Sequence, residues 1–326
     1  MRRRAYLALL GAAALRPASG RAQGTALPVI GYLGNESAKP MMTRLRAFRA
    51  GLAEMGYVEG RNVVMEFRWA EGRYERLPRF AAELVQRGVD VIVAPGGAPV
   101  ALAAKSATRT IPIVFEMGGD PVALGVVSSL NRPEGNLTGV SSLSVEASSK
   151  RLELLHEAIP AAADIGIAVN PTSPTAESQL GTLRVTAGSL GLQLHVLEVR
   201  AEEQFEAIFA ALPQLNIGGL VFTSDPFFAF RSELLAALAL RHGVPAITQT
   251  RDFATAGGLM SYGGDFVQSH HHTGVYTGRV LKGQKPSDLP VQQITRLELL
   301  VNLQTAARFG ISLPRSLLGR ADEVIE

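Results

Sequence analysis

Polar and small residues collect at a recurring set of places, each following a short apolar run. Asn35-Glu36-Ser37, Pro95-Gly96-Gly97-Ala98-Pro99, Gly118-Gly119-Asp120-Pro121 and Ser141-Ser142 lie in the first half of the chain. Asn170-Pro171-Thr172-Ser173, Thr223-Ser224-Asp225-Pro226-Phe227 and Gln249-Thr250-Arg251-Asp252 lie in the second. Glycines there let backbone N–H groups approach a ligand, and a helix opening just afterwards favours an anionic group. Gly96-Gly97, ahead of a helix over Pro99–Ala107, is the best carboxylate site; equally, Gly-Gly is a turn signal. Asp120 and Asp225 are each placed to meet an amine, or to cap a helix whose first turn carries the following proline. Phe227, with Phe253 or Tyr262, offers rings for an apolar ligand body.

This is the chemistry of binding rather than catalysis. The chain has no G-x-G-x-x-G after a strand, no G-x-x-x-x-G-K-[ST], no G-x-S-x-G and no H-E-x-x-H. His270-His271-His272 invites a metal reading, but successive helical positions point ~100° apart and cannot converge on one ion. The triplet is expected on a solvated helix face. His156, His195 and His242 are isolated. No catalytic residue, no metal ligand and no cofactor is expected, and the sequons at Asn35 and Asn136 are read as chance.

The elements that position these loops alternate strictly. Strands are expected at 29–33, 63–69, 89–94, 113–115, 137–140, 165–170, 192–199, 219–223 and 244–248. Helical stripes lie between them. Met41, Leu45, Phe48, Leu52 and Met55 share one face of a helix ending at Gly56. Similar stripes end at Gly88, Gly191 and Pro213. Alternation of this kind implies mostly parallel sheets with helices on both faces. So many strands in so short a chain fit an α/β fold of two doubly wound, Rossmann-like lobes better than one sheet. A first crossing between lobes is expected where the strand at 137–140 runs into Ser141-Ser142, before a helix from about Val145. Ligands of such sheets bind beyond the carboxyl ends of the strands, so two facing lobes would share one cleft.

The opening residues bear on compartment. Arg2, Arg3 and Arg4 precede an apolar run from Ala5 to Leu15, and Gly20-Arg21-Ala22 precedes Gln23. A charged start, a short apolar core and a small-x-small site read as a secretory signal over 1–22. Arg3-Arg4 also resembles a twin-arginine export signal. An anchor helix is the alternative, but the run is well below the ~20 apolar residues a span needs. The full chain carries 32 Lys+Arg and 29 Asp+Glu. Five of the arginines and no acid fall in the signal, leaving 27 basic against 29 acidic residues. A nucleic-acid reading based on the basic pI therefore fails. With no cysteine, the chain has neither disulfides nor a lipid-bearing cysteine, and a free periplasmic protein is expected.

Several stretches together resemble the solute-binding components of ABC importers related to the tryptophan/tyrosine-binding branch. They are Gly56-Tyr57-Val58-Glu59-Gly60, Trp69-Ala70-Glu71-Gly72-Arg73-Tyr74, Gly118-Gly119-Asp120-Pro121, Leu130-Asn131-Arg132-Pro133 with Gly135-Asn136-Leu137-Thr138-Gly139, and Ser224-Asp225-Pro226-Phe227-Phe228. Gly257–Gly263, Gly274–Arg279 and the tail Arg320–Glu326 extend the likeness over nearly the whole chain after the signal. The resemblance implies a type I periplasmic-binding fold with three crossings. Lobe one would comprise 27–140 plus 250–283, and lobe two 141–249 plus 284–326. It implies a monomeric receptor that closes on a small organic solute, an amino acid or small carboxylate. Delivery would be to an inner-membrane permease with a cytoplasmic ATPase. Many relatives have threonine where this chain has Ala98, which weakens the amino-acid expectation. A sensory subunit presenting solute to a membrane receptor, without transport, is the alternative. A periplasmic hydrolase or oxidoreductase lacks its motifs, and a transcription-factor effector domain lacks a DNA-binding helix pair.

Overall fold

A computed structural model describes residues 27–326; the segment expected to be an export signal, with Arg3 and Arg4, lies outside the described residues. Thirteen strands alternate with helices. The first half carries β1 (Val29–Gly34), α1 (Ala38–Glu54), β2 (Val64–Trp69), α2 (Leu77–Arg87), β3 (Val91–Ala94), α3 (Ala98–Ala107), β4 (Ile113–Met117) and β5 (Leu137–Ser142). There follow α4 (Ser148–Ala158), β6 (Asp164–Val169), α5 (Ala176–Leu190), β7 (Gln193–Glu198), α6 (Phe205–Ala211), β8 (Gly219–Phe222), α7 (Pro226–Ala229), α8 (Ser232–His242) and β9 (Ala246–Thr248). The chain ends with α9 (Arg251–Thr255), β10 (Met260–Gly264), α10 (Phe266–Leu281), β11 (Gln292–Ile294), β12 (Leu297–Asn302), α11 (Leu303–Arg308), α12 (Arg315–Leu318) and β13 (Glu323–Ile325).

All nine strands expected from the sequence form, and helix stops fall where glycine allows a left-handed backbone, as at Gly88 and Gly191. Two sheets result. The first has the order β11-β5-β4-β3-β1-β2 and the second β13-β12-β10-β9-β8-β6-β7. Every pairing is parallel except β10 with β12. The inner strands β3, β4 and β5 of the first sheet are buried from both sides.

The chain passes between the sheets three times, after β5, after β10 and between β11 and β12. These places differ from the expected boundaries. Ser141 and Ser142 pair in register with β4 and β11 and so belong to the first sheet. Residues 250–264, expected in lobe one, belong to lobe two, because Met260 and Ser261 pair with β9. Residues 284–294, expected in lobe two, return to lobe one through β11 on β5. Helix α10 is the part of the expected 250–283 segment that does join lobe one.

The packing of α10 also corrects the reading of the histidine triplet. Gly51 on α1 and Gly274 on α10 bring the helices so close that a Cβ on either would overlap a backbone carbonyl of the other helix, His271 O and Phe48 O respectively. With α1 on one side and the sheet on another, α10 buries His270 completely, while His271 stays near the surface and pairs with Glu54 at 2.8 Å. Among the described residues no group of three or more His, Cys, Asp or Glu is placed to hold a metal ion, and no helix is long and apolar enough to cross a membrane.

Candidate functional site

The carboxyl ends of β1, β3 and β4 in lobe one face those of β6, β8 and β9 in lobe two, and a partly open cavity lies between them. Lobe one supplies Arg44, Pro95 to Pro99, Glu116, Gly118 and Gly119; lobe two supplies Ser173, Thr175, Ser224, Pro226, Ala229, Phe230 and Gln249. Val145 and Phe266, both from crossing segments, complete the wall.

The lobes touch around this cavity. Tyr74 Oη donates to Asp225 Oδ1 at 2.8 Å, and Arg231 Nη1 donates to Glu36 Oε1 at 2.8 Å. Gly97, at φ 79°, sits so close to the opposite lobe that a Cβ there would lie 2.9 Å from Pro226 Cγ. Only glycine suits both demands.

Of the residues singled out from sequence, Gly96, Gly97, Ala98, Gly119, Ser173, Ser224 and Gln249 line the cavity. The others do not. Asn35 is buried under Gly96 with both side-chain atoms unpartnered. Glu36 is spent on Arg231; burial raises its pKa, and that cation opposes the rise. Asp120 faces solvent and accepts from Val122 N at 2.8 Å, so it shapes a turn and starts no helix. Ser141 donates to Gly119 O and fixes that loop from behind. Asn170 holds Thr172 through Oδ1 and reaches Asp225 Oδ1 at 3.3 Å.

Asp225 caps α7 through Phe227 N at 2.9 Å while its Oδ2 keeps no partner, and burial pushes its carboxyl upward. It is a junction between lobes instead of a wall of the cavity. Phe227 packs on Phe205 in the lobe-two core, Phe253 is fully buried in the same core, and Tyr262 packs against the other lobe-two cluster. The rings that do line the cavity are Phe230 and Phe266.

Sequence reasoning missed two charged residues in the wall, Arg44 and Glu116. Their signals were present. Arg44 falls on the same helical face as Met41, Leu45 and Phe48, and Glu116 interrupts the apolar run Ile113-Val114-Phe115-Glu116-Met117. Burial lifts the Glu116 carboxyl to about 7 against the pull of Arg44, and burial lowers the pKa of Arg44. Burial together with the Arg44 charge holds His270 down at about 3, so it is neutral, with Nδ1 toward Phe266 O and Nε2 unpartnered. Arg151 was missed as well. It is fully buried and donates to Tyr262 O, Ser144 O, Ser148 Oγ and Ser224 Oγ, which ties two crossing segments to the loop after β8.

Two parallel doubly wound lobes, linked by three crossings and enclosing a cleft at their strand ends, define a type I periplasmic-binding fold. The chain belongs to the family of ABC transporter substrate binding proteins, which matches residues 37–325. It is 26% identical over 262 residues to a tyrosine-binding protein of Clostridioides difficile, covering 80% of this chain and 74% of that one. An ABC domain from Streptococcus pneumonia solved in complex with L-Trp is 25% identical, with a TM-score of 0.81 over 92% of this chain and all of that one. A conserved domain protein from Vibrio cholerae is 27% identical, with a TM-score of 0.83 over the same shares.

Proposed function

We propose that this chain is the periplasmic receptor of an ABC importer. It is exported through residues 1–22, binds a small organic solute between its lobes, and passes it unchanged to an inner-membrane permease driven by a cytoplasmic ATPase. The observation that carries this reading is the cavity between the lobes, closed over by contacts that join one lobe to the other. A solute gripped from both sides favours the closed arrangement, because only there does it gain both sets of contacts. An amino acid or a small carboxylate fits the wall best. The Arg44 guanidinium would receive an acidic group, and Phe230 and Phe266 in the same wall would flank an apolar body. The tyrosine-binding relative and the L-Trp complex support an aromatic amino acid as the first candidate.

Micromolar capture requires about 8 kcal/mol, which a few charge-assisted hydrogen bonds and one buried ring can supply. Native mass spectrometry of freshly purified protein should reveal a co-purifying solute, and X-ray scattering should report a smaller radius of gyration with solute than after its removal. An identical scattering profile in both states, or a solute recovered chemically altered, would exclude the receptor reading. The same profiles report whether the protein works as a monomer.

A further inference from the structure

We propose that Arg44 and Glu116 are the paired anchors of the cleft, Arg44 receiving the carboxylate and Glu116 the ammonium of one zwitterionic solute. The inference rests on the solute-receptor reading and names the residues that would select the solute's charge.

Both side chains face the same cavity, and both are more than nine-tenths buried, at 8% and 4% exposure. Among the described residues neither side chain makes a hydrogen bond or an ion pair, and Glu116 Oε1 is buried with no partner at all. They do not pair with each other within 4.0 Å, although each shifts the other's titration, and Arg44 feels the Asp252 carboxylate more strongly still. A buried charge left uncompensated is costly, so folds that retain one supply a partner from elsewhere. Here two opposite charges wait in one enclosure, close enough to feel each other and too far apart to join.

The surroundings of Arg44 limit what that partner is. Its guanidinium carbon lies 4.5 Å from the Phe230 ring centroid and 4.9 Å from that of Phe266. Two rings within cation–π range engage the charge while its N–H groups make no hydrogen bond within the chain, a free donor fork that suits a carboxylate. Phe230 belongs to lobe two, so this seat is complete only when the lobes meet. Capture of the carboxylate is thereby coupled to closure. A carboxylate alone would satisfy Arg44 and set a second acid beside Glu116. An amine alone would satisfy Glu116 and repel Arg44. A dipolar solute answers both.

The test uses the mature protein stripped of co-purified solute. Thermal shift against the proteinogenic L-amino acids selects binders. Calorimetry then compares each binder with its decarboxylated amine and its deaminated acid. At least one amino acid should bind, with both counterparts about thirtyfold weaker or worse, the effect of one lost charged hydrogen bond. Arg44→Gln should weaken the amino acid by about thirtyfold while bringing amine and amino acid closer together. Glu116→Gln should weaken the amino acid about tenfold and leave the deaminated acid bound as well as before, or better. Arg44→Lys, which keeps the charge and loses the flat face, should fall between wild type and Arg44→Gln.

Circular dichroism melts establish that each variant is folded. If Arg44→Gln does not fold, Arg44→Lys and the wild-type comparison of amino acid with amine decide the matter. The proposal is overturned if no amino acid binds, if the acid or amine counterpart binds as tightly as the amino acid, or if the variants bind the amino acid like wild type. Each of those outcomes leaves the solute-receptor reading intact, since that fails when no solute alters the scattering or when the solute is recovered chemically altered.

Discussion

Replacing Glu116 by glutamine should change how stability depends on pH, and the size of the change follows from burial. The Glu116 carboxyl titrates at about 7 in the folded chain against an ordinary value of 4.5. Between those values the folded chain holds a proton that the unfolded chain has released, so stability falls as pH rises through this window and stays lower above it. The gap amounts to about 3 kcal/mol. His270 acts in the opposite sense. Its folded value of about 3 lies below 6.5, so the unfolded chain takes up a proton the folded one refuses, and stability rises with pH over that range. The two slopes oppose each other in wild type, and burial of Glu36 and Asp225 adds further terms.

The difference between wild type and Glu116→Gln removes everything the two share. Urea unfolding followed by circular dichroism at about pH 5 and about pH 8 should show the variant gaining about 2–3 kcal/mol relative to wild type across that interval. A difference that stays constant within about 0.5 kcal/mol would mean that Glu116 ionises normally, and the argument from desolvation would be wrong.

Other consequences are local. Tyr74→Phe removes the cross-lobe hydrogen bond to Asp225 and should weaken the co-purifying solute about tenfold by calorimetry, since that bond to a buried carboxylate exists only when the lobes meet. Arg231→Met strands the buried Glu36 carboxylate, which should favour parted lobes and raise the radius of gyration measured without solute. Gly274→Ala would drive a methyl group into the Phe48 carbonyl, and a loss of about 1–3 kcal/mol should appear as a lower Tm. Arg151→Met would take a donor from two backbone carbonyls and two serine hydroxyls, of which Ser144 O alone keeps a second donor, Ser224 Oγ. A loss of about 1–3 kcal/mol is expected in urea unfolding.

Local pattern was enough for most of the scaffold. Runs such as Val91–Ala94 and Ile113–Phe115 are apolar on both faces, and a glycine marks the end of helices such as α2 and α5, so strand and helix order could be read directly. The number of alternating strands pointed to two lobes, and the resemblance of scattered motifs then supplied the family and its three crossings. The strands β10 to β13 escaped notice. Ser261, Gly263 and Gly264 make β10 a poor strand by propensity, and β11 and β13 span only three residues each. Such segments become strands because a neighbouring edge offers hydrogen bonds, a condition absent from their own composition. The crossing points moved for the same reason, since lobe membership is set by pairing across distant chain segments.

The site divides similarly. Glycines and hydroxyl residues at strand ends were found because topology sends every such loop to one rim. Which of them face the cavity depended on how the lobes meet. Asp120 turns outward to hold its own backbone, and Phe227 turns inward to fill the core. Arg44 and Glu116 look like ordinary positions on a helix and a strand. Only packing reveals that each is buried without a hydrogen-bond partner and lines the same cavity, because a charge acquires that meaning from the surroundings that have excluded water from it.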